Sequence, residues 1–153
     1  MKARIKRTAE EVGLPMGDRN RTYNSRLAQE LGKWAEFKAK GDEYHSAVFC
    51  AYFVDGKNIA DPQVLIEVAD SIGLSAATAS DVLKERTFSE SVDRDWSRSY
   101  GMGITAVPTF VMGQKALVGA QHYDALAKLA ISSGALKKNK FVCTREAVPG
   151  SRQ

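Results

Sequence analysis

Cys50 and Cys143 are the only thiols in the sequence and stand 93 positions apart. Thiol–disulfide exchange needs an attacking thiolate and a resolving thiol beside it. A Cys-x-x-Cys pair at a helix N-terminus meets both needs, because the helix end favours the thiolate. No such pair occurs in these 153 residues. Cys50 falls in the apolar run AVFCAYFV and reads as a packed, inert thiol. Cys143 has Lys140 and Arg145 nearby, but it lies in a stretch with weak order signals and reads as incidentally exposed. His45 and His122 are the only histidines. Neither they nor the cysteines show the spacing of a zinc finger or an i, i+4 ligand pair, so no metal site is expected. Gly101-Met102-Gly103 is too short for a phosphate loop and lacks the helix that should follow. No catalytic residue and no cofactor is assigned on these grounds. Pro108 stands inside the β-branched and aromatic run ITAVPTFVM. A proline there removes one ladder bond and marks a strand edge.

The elements that must position this segment are mostly helical. Ala3 to Val12 reads as a first helix, stopped by Gly13 and the loop Leu14-Pro15-Met16-Gly17-Asp18. Asn24 is a candidate N-cap for a helix with Leu27, Leu31, Trp34 and Ala35 on one stripe, and Gly41 a candidate C′ residue. Asp42 to Val54 carries Tyr44, Ala47, Ala51 and Val54 on one face and Phe49, Tyr52 and Phe53 on the other. A helix apolar around so much of its circumference is expected to be buried on more than one side. Asp61-Pro62 is an N-cap followed by proline at the first helical position. Ser75 caps a shorter helix, and Thr87-x-x-Glu90 has the form of a capping box before Val92, Trp96 and Tyr100. The pattern then changes to Ile104–Met112, a Gly113-Gln114 turn, Lys115–Val118, and a last helix from His122 to Ile131. Trp34, Trp96 and the tyrosines fall on helical stripes and read as core. His122 reads as a surface or capping residue.

Apolar residues are 44% of the chain and charged residues 26%, which gives enough material for one globular domain. No apolar run reaches 18 residues, so no membrane span is expected. The basic N-terminus has no apolar core and does not read as a secretory signal, so the expected compartment is the cytoplasm. The formal charge of +4 is unevenly placed. Residues 1–26 carry seven Lys/Arg against three Asp/Glu, residues 27–136 ten against fourteen, and residues 137–153 five against one. Basic ends on a mildly acidic body do not make a basic face interleaved with aromatics, so no nucleic acid is expected as partner.

A two-stranded hairpin is marginal alone in water. The strand Val107–Met112 is apolar and is expected to pair on both sides, so an open edge there would template another chain. The segment GITAVPTFVMGQKALVGAQHYDALAKLA resembles the C-terminal part of the DsbA-like thioredoxin-fold family. NSRLAQELGKWAEF and AVFCAYFVDGKNIADPQVL are similar to the helical insertion of its FrnE-type branch, which is related to kappa-class glutathione transferases and chromene carboxylate isomerases. The resemblance covers roughly Leu14 to Ala130. It implies an α/β, incomplete thioredoxin-like fold: an N-terminal helix and loop (1–23), a helical insertion (24–103), a C-terminal β-β-α unit (104–134) and a tail (135–153). It also implies a cis bond at Pro108, with Val107, Pro108 and Thr109 binding an extended peptide or protein thiol substrate. The Cys-x-x-Cys of the family is missing from the sequence, so the expectation is a shortened, redox-inactive member. Two alternatives stand beside it. One is a non-catalytic module for peptide binding or self-association through the strand edge. The other is a glutathione-using transferase or isomerase relative.

Overall fold

The computed structural model describes residues 2–18 and 21–135. Cys143 and all but the first residue of the expected tail lie outside them. The described residues form two compact units, divided between Ser99 and Tyr100.

The first unit is helical: α1 (Lys2–Glu11), α2 (Arg26–Phe37), α3 (Gly41–Phe49), α4 (Pro62–Ser71), α5 (Ala76–Glu85) and α6 (Ser89–Gly101), whose last two residues run into the second unit. A five-residue π-turn, Cys50–Val54, continues α3. Local side-chain chemistry starts two of these helices. The Asp61 carboxylate accepts from the Gln63 N–H at 2.9 Å, with Pro62 at the first helical position. The Ser75 hydroxyl accepts from the Thr78 N–H at 3.3 Å. The core is built from Leu31, Trp34 and Ala35 of α2, Tyr44 and Val48 of α3, Leu65, Val68 and Ala69 of α4, and Ala79, Val82 and Leu83 of α5.

Several expectations need correction. Ser25, not Asn24, holds the N-cap position of α2, and its side chain makes no cap bond. The Asn24 side-chain oxygen Oδ1 instead accepts from the Arg26 N–H at 2.8 Å. Gly41 opens α3 instead of closing α2. The left-handed residue after α2 is Ala39, at φ 56°. Gly41 is needed for close approach, since a Cβ there would lie 2.9 Å from Glu36 Cγ. The start of α6 moves one residue on from Thr87, because the Phe88 carbonyl accepts from Val92 N–H. The helix carrying Cys50 is covered on one side only. Tyr44, Val48 and Ala51 are buried, whereas Phe49 and Phe53 are exposed, and so is Cys50. Trp96, Tyr100 and Tyr123 are exposed too, so the aromatic core of the described residues is Trp34 and Tyr44.

The second unit holds β1 (Thr109–Met112), β2 (Lys115–Val118) and α7 (Tyr123–Ser132). The strands pair antiparallel, Thr109 opposite Val118 and Met112 opposite Lys115, around a two-residue turn with Gly113 at φ 59°. Regular strand begins only at Thr109, so Ile104–Val107 is not part of the ladder. α7 packs on the hairpin, with Lys115 Nζ donating to the Ser132 carbonyl at 2.9 Å. His122 takes the N-cap position of α7 without a side-chain cap bond. No helix among the described residues is long and apolar enough to cross a membrane.

Candidate functional site

The three residues singled out in the sequence lie together at the entry to β1. The Val107–Pro108 peptide bond is cis. Val107 is 91% exposed, the most exposed large apolar side chain among the described residues. The Pro108 carbonyl accepts from the Gly119 N–H at 2.7 Å, which extends the ladder one step past the regular strands. Gly119 supplies a positive φ of 87° where the chain leaves β2. Thr109 is half-buried, and its hydroxyl donates to the Ala106 carbonyl at 2.6 Å, which fixes the loop against the strand. Gln121 Nε2 donates to the Val118 carbonyl at 2.7 Å and steadies the exit of β2.

Because Pro108 bonds toward β2, the alternation of an antiparallel ladder turns the N–H and C=O groups of Thr109 and Val111 to the opposite edge. Among the described residues β1 pairs only with β2, so that edge is open. On one hairpin face, Thr109, Val111, Ala116 and Val118 join Met102 and Ile104 around a recess of about 320 Å³. The arrangement offers backbone donors and acceptors at a fixed spacing next to small apolar side chains, the features that an extended peptide pairs with.

No thiol stands in this segment. Cys50 belongs to the helical unit. Among the described residues, no three His, Cys, Asp or Glu side chains come together to hold a metal ion.

The sequence reading missed a charged cluster in the helical unit. Glu30 is 1% exposed. Its carboxylate accepts from Arg86 Nε and Nη2 and from Arg26 Nε, all at 2.6 Å. The two bonds from Arg86, then the one from Arg26, hold its pKa below the usual carboxylate range against the opposing effect of burial. Arg26 goes on to Asp93 Oδ1 at 2.7 Å and to the Ser89 carbonyl at 2.8 Å, so one residue ties α2 to α6. The only local signal is the i, i+4 spacing of Arg26 and Glu30. Arg86 is 56 positions away from Glu30, and nothing in the pattern points to it.

Residues 1–130 match the DSBA-like thioredoxin domain. The chain belongs to that family. "Uncharacterized protein YwbO" of Bacillus subtilis (strain 168) is 34% identical over 137 residues, which are 88% of this chain and 68% of that protein. A solved structure of 2-hydroxychromene-2-carboxylate isomerase superposes with a TM-score of 0.71 at 22% identity, over 87% of this chain and 64% of that one. The chain thus spans just under two thirds of the isomerase, and at this identity the likeness concerns the fold. The described residues form a mostly helical DsbA-like fold with a small two-stranded antiparallel sheet.

Proposed function

We propose that this chain carries the substrate-docking side of a DsbA-like, FrnE-type protein dithiol–disulfide oxidoreductase. Val107, Pro108 and Thr109 meet an extended peptide or protein thiol substrate. The observation that carries this reading is the open edge of β1 beside the exposed Val107. The peptide adds as a strand along that edge, and its alternate side chains settle on the hairpin face. The exchange itself runs by attack of a thiolate on one sulfur of a disulfide, which forms a mixed disulfide and expels the other sulfur as a thiolate. With no Cys-x-x-Cys among the 153 residues, this chain binds without turning over.

The test is fluorescence anisotropy with a fluorescein-labelled Val/Thr-rich peptide containing one S-methylated cysteine. Methylating one alternate set of its backbone amides removes the bonds to β1 and weakens binding by about tenfold, while methylating the other set leaves it unchanged. Val107→Lys weakens the same binding, with a urea midpoint close to that of the parent chain. Equal effects from both methylated sets would rule out strand addition. The likeness to an isomerase fold favours a second reading, a glutathione-using relative. Saturable binding of glutathione without binding of the peptide would put that reading first.

A further inference from the structure

The hairpin unit leaves one strand edge open and sends the chain back toward it. Among the described residues β1 pairs only with β2, and the N–H and C=O groups of Thr109 and Val111 face outward. α7 delivers the chain to the turn end of that strand. Lys115 Nζ donates to the Ser132 carbonyl at 2.9 Å, and the Ser133 hydroxyl donates to the Met112 carbonyl at 3.4 Å. The helix closes through Gly134, at φ 86°, with the Ala135 N–H on the Ala130 carbonyl at 3.0 Å. The chain therefore leaves α7 near Met112, the last residue of β1.

The sequence that follows suits this place. Residues 136–140 make a five-residue link, which spans roughly 16 Å when extended. Phe141-Val142-Cys143-Thr144 comes next, a run of four residues with strand-favouring aromatic and β-branched types, equal in length to β1. A segment that reaches the edge at Met112 has to run toward Thr109, which is antiparallel to β1. The recess of about 320 Å³ lies on the face that carries Thr109 and Val111, with Met102, Ile104 and Val118 in its lining. Side chains directly opposite each other in an antiparallel pair share a face, so an aromatic ring opposite Val111 covers this recess.

We propose that residues 141–144 dock on the open β1 edge of the same chain, with Phe141 opposite Val111 and Cys143 opposite Thr109. In that register the N–H and C=O groups of Phe141 and Cys143 meet those of Val111 and Thr109, and the Val142 N–H faces away. Cys143 then stands next to Pro108. The short link holds the segment at a local concentration on the order of millimolar, so it competes with a free peptide or a second copy for the edge. That competition rests on the peptide-docking reading above; the docking of the segment does not.

Amide hydrogen exchange on the whole 153-residue chain, kept reduced, reads the docking. With about nine chains in ten docked, the Thr109 and Val111 amides exchange about tenfold more slowly than in an undocked chain, already at the lowest protein concentration. Cys143→Pro removes a bonded N–H and should abolish that protection. Val142→Pro should keep it, because an edge strand tolerates proline where the N–H faces solvent. The Phe110 and Met112 amides, which point to β2, should stay protected in both variants. The fluorescein-labelled peptide should bind Cys143→Pro about tenfold more tightly than the parent chain. Fast exchange of Thr109 and Val111 in the parent, or equal effects of the two prolines, would overturn the proposal. So would protection that emerges only at high protein concentration, since a second copy would then be the occupant. Protection lost in Cys143→Pro, with no peptide bound by either chain, would support the docked segment and overturn the peptide-docking reading instead.

Discussion

Glu30→Gln keeps the side-chain volume of the buried carboxylate and removes its charge. In the parent chain this carboxylate receives three arginine N–H bonds at 2.6 Å. Bonds to charged groups contribute about 1.5–3 kcal/mol each. The sum overstates the loss for two reasons. Arg86 is half-exposed, so its guanidinium can turn to water. The Gln carbonyl can also keep one acceptor contact. Its NH2 group, however, then faces arginine donors. The expected cost is therefore about 3 kcal/mol, the lower end of what breaking a buried ion pair entails. With an m-value of about 2 kcal/mol/M in urea, the midpoint should fall by about 1.5 M. Helical circular dichroism reads this transition, since the cluster ties α2 to the end of α5 and, through Arg26, to α6. The pH dependence gives an independent check. The Glu30 pKa is lowered in the folded protein, mainly by the bonds from Arg86. A lowered carboxyl pKa contributes stability that is fully present above the ordinary value of 4.5 and is lost as pH falls through the folded value. The gap between parent and variant should therefore be constant near neutrality and narrow in acid. A midpoint change equivalent to less than about 1 kcal/mol at pH 7, or a gap that widens in acid, would refute this account of the cluster.

Gly17→Ala should loosen the loop after α1, because a Cβ at Gly17 would overlap the Val54 carbonyl oxygen. The Gly17 N–H bond to the Phe53 carbonyl, 2.9 Å long, should then lose hydrogen-exchange protection, with a stability loss of about 1–3 kcal/mol. The chain should show no insulin reduction above background, and Cys50→Ala should leave that result unchanged; turnover that persists in the double variant Cys50→Ala, Cys143→Ala would contradict the thiol-based reading. Sedimentation over a range of concentrations should show self-association through the β1 edge. An excess of the extended peptide should suppress it, and a monomer throughout would show that the edge does not template a second copy.

Features written in neighbouring residues were legible, and those written across the chain were not. Asp61 and Ser75 act on backbone groups two or three positions away, and Pro62 sits at the first helical position, so their types and order announce the helix starts. Gly113-Gln114 announces the hairpin in the same way, because a two-residue turn needs an unusual backbone angle that glycine supplies. Gly41 shows where such local logic misleads. A glycine after an amphipathic stretch suggests a left-handed cap, yet Ala39 adopts that angle, and Gly41 is required by its nearness to Glu36. Only the packed structure carries that second reason.

Apolar periodicity has a related limit. It shows that Phe49 and Phe53 share a helix with Tyr44 and Val48, but not whether a neighbour covers each face. The structure buries Tyr44 and Val48 and leaves Phe49 and Phe53 exposed. The same side chains that looked like surplus core thus become the wall of a recess, and Cys50 becomes exposed among them. Glu30 is the opposite case. A carboxylate in a helix is ordinarily a solvated residue. Here Arg86, from the end of α5, joins Arg26 on a carboxylate that packing buries. Burial and partner are a single event created by folding. For that reason neither could be inferred from residue types alone, and the Glu30 variant tests a contact that exists only in the folded chain.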